Sequence, residues 1–218
     1  MSVVTRFGWQ GMRAVGPMLW GIAALAALAV AAPAAPTPPG DSGVPRALPG
    51  EFLIAAPDMD DPRFSHTVIL MLQHDQGGAF GLVVNRPVED EPLAKLLGEL
   101  GQKSDGAKGK ITIYAGGPVE PDIGFVLHSA EYRRPETMKI DGQVAVTSSP
   151  EVLRDIAAQK GPQHYIFAFG YSGWGPGQLE SELKARVWFT APDDAKLLFG
   201  DDPQKLWQDA LDRRDRAL

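Results

Sequence analysis

The sequence predicts an α+β domain, in which hairpins are mixed with only a few crossover helices. Apolar strands at Thr67–Leu72 and Phe80–Asn85 flank turn residues at Asp75–Gly78, which is typical of a β-hairpin over residues 66–85. Leucines recur at the spacing of one helical face within Pro92–Leu100, which predicts a helix. The sequence has no internal repeat of strand and helix, so the pattern favours α+β over a regularly wound parallel sheet.

The other elements follow from the same signals along the chain. Short apolar segments predict strands at residues 52–56, 111–114, 124–128, 143–147, 165–169 and 187–190. A helix begins after Ser149, which we expect to cap it, and ends before Gly161. A short helix is expected near Gln178–Ala185. The last helix begins at Asp202–Pro203 and turns its apolar side chains inward, namely Leu206, Trp207, Ala210 and Leu211.

Residues 1–43 differ from the rest of the chain. Two arginines precede the apolar run Met18–Ala32, and small residues follow it, which is the layout of a secretory signal cleaved within residues 1–35. The run is shorter than the roughly 20 residues that span a bilayer. A mis-assigned start is the alternative, with Val44 as the true beginning. Under either reading the folded domain comprises residues 44–218, with no integral membrane domain in it.

Composition excludes several classes of function. The chain of 218 residues has no cysteine, so it has no disulfide, thiolate nucleophile or Cys-ligated metal. Its formal charge is −6, from 27 acidic and 21 basic residues. Because duplex DNA is bound largely by neutralising its phosphates, this charge makes direct DNA binding an unfavourable hypothesis.

Several motifs together resemble the AlgH/YqgE family, bacterial proteins of uncharacterised function that are also labelled transcriptional regulators. The segments are APDMDDPRF (56–64), GLVVNRP (81–87), GGPV (116–119), GFVLH (124–128), TSS (147–149), GYSGW (170–174) and GQLE (177–180). Their order covers about residues 48–211. The resemblance implies a compact single domain, a curved and mainly antiparallel sheet flanked by about four helices, and a cytoplasmic location. The chain departs from the family pattern in two places: it has the leader, and it has Arg186 where the family usually has Asn.

Polar residues at the ends of apolar strands are the candidate binding residues. Asn85 and Arg86 end one strand, and the planar guanidinium suits a carboxylate or phosphate. The alternative is that Arg86 pairs with Glu89 or Asp90, and that Asn85 bonds to the backbone at a turn. For both residues we favour the structural alternative over ligand binding.

The glycine-rich segments allow two readings each. Gly116 and Gly117 could expose backbone N–H groups as an anion-binding nest, or simply form a tight turn. The segment around Ser172 resembles a nucleophile elbow, but Trp174 replaces its final glycine, and the resemblance implies that Ala is accepted at the serine. Catalysis by Ser172 is therefore disfavoured. Trp174 either stacks on a ligand or seals its loop.

Two side chains are weak candidates for acid–base catalysis. Glu180 opens a helix, where capping is the stronger interpretation, and His128 lies at a strand end. Neither His128 nor the other histidines form a close metal-ligand pair, so we predict no metal and no cofactor; the others are His66, His74 and His164.

These observations favour binding of a small anion or a protein partner over catalysis. Arg86 would orient the anionic group, the glycine backbones would approach it, and Tyr171 or Trp174 would form an apolar wall. The full predicted surface is Asn85, Arg86, Gly116, Gly117, Tyr171, Trp174, Gln178 and Glu180. The alternative is a hydrolase or transferase that uses Glu180 or His128. A cytoplasmic location is slightly favoured over export.

Overall fold

The computed structural model describes residues 47–217, with side chains described as far as Arg214. The predicted leader over residues 1–43 lies outside these residues. The described strands are β1 (Glu51–Ala55), β2 (Val68–Asp75), β3 (Gly78–Val83), β4 (Pro87–Pro92), β5 (Lys110–Ala115), β6 (Val119–Ser129), β7 (Thr137–Lys139), β8 (Val144–Thr147), β9 (Tyr165–Trp174) and β10 (Trp188–Pro192). The helices are α1 (Leu93–Glu99), α2 (Glu151–Ala157), α3 (Gln178–Lys184), α4 (Ala195–Leu198) and α5 (Leu206–Ala217).

The strands form one curled sheet with the shape of a half-barrel. Its main path runs β10-β1-β2-β3-β9-β6-β8-β7, and the β4–β5 pair joins it through β9. Among the described strand pairs only β5 with β9 is parallel. The predicted α+β class with a mainly antiparallel sheet is therefore confirmed, as is the first hairpin, in which Ile69 pairs with Val83 across β2 and β3.

The curled sheet separates three apolar clusters. Alternation along β1 sends Phe52 and Ile54 to an inner cluster, which α4 and α5 also enter and which contains residues of both β8 and β10. Leu53 and Ala55 enter an α3-side cluster on the opposite face. A third cluster lies under α1 and α2. Covering each face with helices removes the sheet's apolar residues from water.

The faces of β9 change at Gly170. Before it, Ile166 packs in the inner cluster and Phe167 packs under α1 and α2. After it, the odd-numbered Tyr171 packs against the inner cluster and Trp174 enters the α3-side cluster. Gly170 has a φ of +72°, so the strand kinks there and shifts its alternation by one residue.

A close backbone crossing fixes this kink. A Cβ added at Gly116 would lie 2.4 Å from the Gly170 carbonyl oxygen, and one added at Gly117 would lie 2.1 Å from the Tyr171 carbonyl carbon. Reciprocally, a Cβ at Gly170 would lie 2.4 Å from the Gly117 oxygen. Three glycines of two separate motifs therefore face each other because no side chain fits between the two backbones.

Three elements differ from the sequence predictions. Residues 87–92 form β4, whose prolines and acidic side chains are weak strand formers; only Glu91 of this strand is buried. Such an edge strand resists pairing with other chains. Short elements β7 and α4 were also not expected. Ser149 does not cap α2, since Pro150 occupies that position and the Ser149 hydroxyl donates to Glu151 instead.

We expect Gly116→Ala to destabilise the fold by about 3 kcal/mol or more, because the new methyl group meets backbone that cannot yield. Gly98→Ala is the matched control. An added Cβ at Gly98 has no atom within 4 Å, and alanine favours the helix by roughly 0.5–1 kcal/mol. Urea denaturation measures both changes: the free energy of unfolding should fall in Gly116→Ala and rise in Gly98→Ala. Equal stability of the two variants would contradict the close backbone crossing.

Candidate functional site

Asn85 fastens the end of β3 to the start of β2. Its side chain is buried, its Oδ1 accepts from the Val68 N–H at 2.9 Å, and its Nδ2 donates to the His66 carbonyl at 2.9 Å. These bonds match the backbone-bonding alternative for Asn85. The residue therefore positions its neighbour, Arg86, rather than presenting its own amide to solvent.

Arg86 is half-buried and makes one hydrogen bond within the described residues. Its Nη2 donates to the Ser65 carbonyl at 2.8 Å, and it forms no ion pair with Glu89 or Asp90. The nearby carboxylate is Asp61. Its pKa is lowered chiefly by hydrogen bonds from Arg63 and to a smaller extent by Arg86. The acid-pairing alternative for Arg86 is thus absent from the geometry of this part of the chain.

The predicted glycine pair lies beside Arg86. Ala115 N–H donates to the Arg86 carbonyl at 3.0 Å, and the Gly116 carbonyl accepts from Val83 N–H at 2.8 Å. These bonds place the backbone of Gly116 beside that of Arg86. However, Gly116 N–H donates to Phe169 at 2.7 Å, so this amide is committed to the sheet. Of the two alternatives, its geometry fits the structural turn.

Tyr171 and Trp174 do not share one apolar wall. The Tyr171 ring makes edge contacts with Phe80 and Phe125 at centroid distances of 5.8 and 6.3 Å in the inner cluster. Burial, with a smaller effect of Glu120, raises the pKa of Tyr171. Trp174 lies in the α3-side cluster. The shift at Gly170 separates these side chains, which no period-two pattern anticipates.

Glu182 is a structural carboxylate that the sequence analysis did not identify. Its Oε2 accepts from the indole N–H groups of both Trp174 and Trp188, each at 2.8 Å, and its Oε1 accepts from Gln178 at 3.0 Å. The two indoles also pack edge to face with centroids 6.0 Å apart. Trp174 therefore seals the base of α3, and Gln178 supports that seal.

Glu180 joins α3 to β2 through His74. The buried His74 ring donates from Nδ1 to the Ala47 carbonyl at 2.8 Å, since a carbonyl only accepts, and its Nε2 lies 3.0 Å from Glu180 Oε1. The pair thus ties three distant parts of the chain together. Because Glu180 contacts the buried His74, its role in this structure is to hold α3 against β2.

His128 lies within a directed chain of hydrogen bonds. Its Nδ1 donates to the Ser129 carbonyl, so Nε2 accepts from Thr147, whose own oxygen accepts from Thr137. Burial lowers the pKa of His128, which favours the neutral ring that this chain requires. The side chain has 0% exposure. Its geometry is that of a buried structural histidine.

A second polar cluster beside His128 was also missed by the sequence analysis. Asp155 accepts from the Tyr132 hydroxyl and from Arg134, each at 2.7 Å, and the Tyr132 ring packs edge-on against His128. Burial first, and then the bond to Asp155, raise the pKa of Tyr132 to about 12. These partners lie more than 20 residues apart in sequence, so no local motif signals them.

Within residues 47–217, no three His, Asp or Glu side chains are grouped so that they could hold a metal ion. No helix in the same range is long and apolar enough to cross a bilayer.

The family of the chain follows from comparison with known proteins. A family model described as AlgH-like (DUF179) matches residues 52–217. The chain belongs to the AlgH-like family. It is 43% identical over 152 residues to a UPF0301 protein of Rhodospirillum rubrum, covering 70% of this chain and 79% of the relative. It is 41% identical over 162 residues to a UPF0301 protein of Methylococcus capsulatus, covering 74% and 88%.

Solved structures agree with this fold. The solution structure of AlgH from Pseudomonas aeruginosa has a TM-score of 0.65 and 40% identity, over 80% of this chain and 92% of that one. A Corynebacterium diphtheriae protein, at 20% identity and a TM-score of 0.61, covers 78% of this chain and 88% of its own, and shows the fold alone. The resemblance seen in the sequence is therefore confirmed.

We expect Glu182→Ala to lower the free energy of unfolding by roughly 2–4 kcal/mol, because two buried indole N–H groups lose their acceptor. Gln178→Ala, one turn earlier on the same helix, loses two exposed hydrogen bonds, one to this carboxylate and one from Gly175 N–H, and is expected to cost about 0.5–1 kcal/mol. Urea denaturation followed by tryptophan fluorescence measures both. A loss below about 1 kcal/mol in Glu182→Ala would show that the shared acceptor does not stabilise the indoles.

We expect Ser172→Ala to leave stability unchanged or to raise it by up to about 1 kcal/mol. Ser172 is buried, and its hydroxyl has no hydrogen-bond partner within the described residues, so the alanine removes an unsatisfied group. Thr147→Val is the matched comparison, since that hydroxyl has two partners and its removal costs about 1–3 kcal/mol. Thermal unfolding of both variants tests this expectation. A clear loss of stability in Ser172→Ala would show that the hydroxyl stabilises the fold.

Proposed function

We propose that this AlgH-like protein is a regulatory domain that acts by binding a small anion or an anionic group of a protein partner, with Arg86 as the contact. The observation that carries the proposal is the state of the guanidinium. Arginine has five N–H donors, and within the described residues Arg86 uses one of them. The remaining donors suit the paired oxygens of a phosphate or carboxylate.

The surroundings of Arg86 support this role. The bond to Ser65 and the buried Asn85 beside it hold the arginine in place, which reduces the entropy lost on binding. Asp61 lies close enough to interact with Arg86, but its carboxylate is already bound by Arg63, 2.6 Å from Nη2. The Asp61 charge therefore competes only partly with an incoming anion.

The other predicted residues take supporting roles in this proposal. Gly116 and Gly117 bring the backbone beside Arg86, and Tyr171 braces the adjoining strand from the inner cluster. Trp174, Gln178 and Glu180 stabilise α3. Since Glu180 and His128 both have structural partners, we assign no catalytic step to them.

We also propose a cytoplasmic location, on the family resemblance, with export through a signal within residues 1–35 as the alternative. Intact-mass measurement of the protein from its own cells tests this. A chain that begins near residue 44 would support a cytoplasmic location. A chain cleaved within residues 1–35 and recovered outside the cytoplasm would support export.

Inorganic phosphate and a hexa-aspartate peptide are the probes for Arg86. We expect each, in an NMR titration, to shift the Arg86 Nε–Hε signal and the backbone amides of Ala115 and Gly116 saturably. Arg86→Gln should weaken binding about tenfold, as expected for the loss of about 1.4 kcal/mol from charge-assisted bonds. A response to phosphate alone indicates a free anion, and a stronger response to the peptide indicates an acidic protein segment.

Arg154→Gln is the matched control. This arginine lies on α2, away from Arg86, and its guanidinium pairs with Glu151 at 3.6 Å, so its loss should leave probe affinity within about twofold. Equal weakening by the two substitutions, or no saturable shift with either probe, would remove Arg86 from the proposed function.

A further inference from the structure

The two ends of the curled sheet are joined by a pair of carboxyl groups. The sheet path begins at β10 and ends at β7. Asp193 directly follows β10, and Asp141 lies in the turn between β7 and β8. The two residues lie at the same edge, since the start of β1 adjoins both of them, and their carboxyl groups interact electrostatically. Among the described strands no ladder pairs β10 with β7 or β8, so this contact crosses an open seam.

The start of β1 lies on the same seam. Glu51 pairs with Pro192, which places Gly50 beside the β10 end that carries Asp193. A Cβ added at Gly50 would lie 3.2 Å from Asp141 Oδ2. Asp141 therefore packs closely against the start of β1, beside the end of β10. A conformational change of its turn would alter the contacts of both strand ends.

Ordinary carboxylates cannot satisfy each other at this position. Asp141 Oδ1 accepts from the N–H groups of Gln143 and Val144, at 2.6 and 2.7 Å. Asp193 Oδ2 is buried and has no donor within the described part of the chain. Two ionised carboxylates have acceptors only, so a hydrogen bond between them requires a proton on one of them.

The neighbouring charges leave the pair uncompensated. Asp194 adds a further negative charge, but its carboxylate caps α4 through Lys196 N–H and pairs with Arg213 of α5 at 2.7 Å. Burial is the main cause that raises the pKa of Asp193 to about 6; Asp141 and Asp194 add to this effect, and Arg213 opposes it.

We propose that Asp141 and Asp193 form a proton-dependent latch across the seam of the curled sheet. The latch is closed while the two carboxyls share a proton, and it loosens when both are ionised. Because the pKa of Asp193 is raised on folding, its contribution to stability is complete below the ordinary value of 3.8 and is lost as pH rises through about 6. This inference is independent of the anion binding proposed for Arg86.

Hydrogen exchange of the seam amides, in residues 140–144 and 189–195, tests the latch on the full chain. We expect wild-type protection factors, corrected for intrinsic exchange, to fall about tenfold or more between pH 5 and pH 7.5 relative to Asp193→Asn. The asparagine is neutral and can donate to Asp141 at any pH, so its seam should stay closed. The carboxyl carbon of wild-type Asp193 should titrate near pH 6.

Two further variants make the result specific. Asp141→Asn keeps an oxygen to accept from Gln143 and Val144 and gains a donor toward Asp193, so it should also abolish the pH dependence. Asp90→Asn changes an exposed carboxylate on β4 and should exchange like the wild type. The latch is refuted if wild-type seam protection does not change with pH, or if Asp193 titrates at its ordinary value.

Discussion

The backbone crossing of Gly116–Gly117 with Gly170–Tyr171 is the constraint on which the rest of the structure depends. It lies where β9 leaves its parallel partner β5 and begins to pair with β3. The absence of side chains lets the two backbones approach, and the kink at Gly170 then turns Tyr171 inward. The same crossing holds Ala115 against Arg86, so one steric requirement shapes both the sheet and the proposed binding residue.

This constraint explains why the glycine-rich motifs attracted functional hypotheses. Glycine next to polar residues at a strand end is equally the pattern of a ligand loop and of two backbones in contact. The sequence cannot distinguish them, because the partner of Gly116 lies more than 50 residues away. Contact between the two backbones explains why glycine is needed at these positions. It does not explain the donors of Arg86 that bind no acceptor within the described residues.

Local periodicity predicted those elements in which one physical signal dominates. The leucines of α1 and the two apolar strands of the first hairpin were found in this way. Strand β4 was not, since its stability comes from pairing with β5 rather than from apolar side chains. The face of Trp174 could not be predicted either, because any count of alternate residues along β9 fails at Gly170. Long-range polar pairs such as His74 with Glu180 require the tertiary fold.

Half-buried carboxylates join separate elements of this fold, although the formal net charge of the chain is already −6. Glu182 accepts from two indoles, Glu180 binds His74, and Asp155 binds Tyr132 and Arg134. In each case a donor from another element of the fold binds the acid, so the charge is stabilised and the elements are held together. Asp193 Oδ2 lacks such a donor within the described residues. The Asp141–Asp193 contact can obtain one from solvent as a proton, which is why the seam should respond to mild changes in pH.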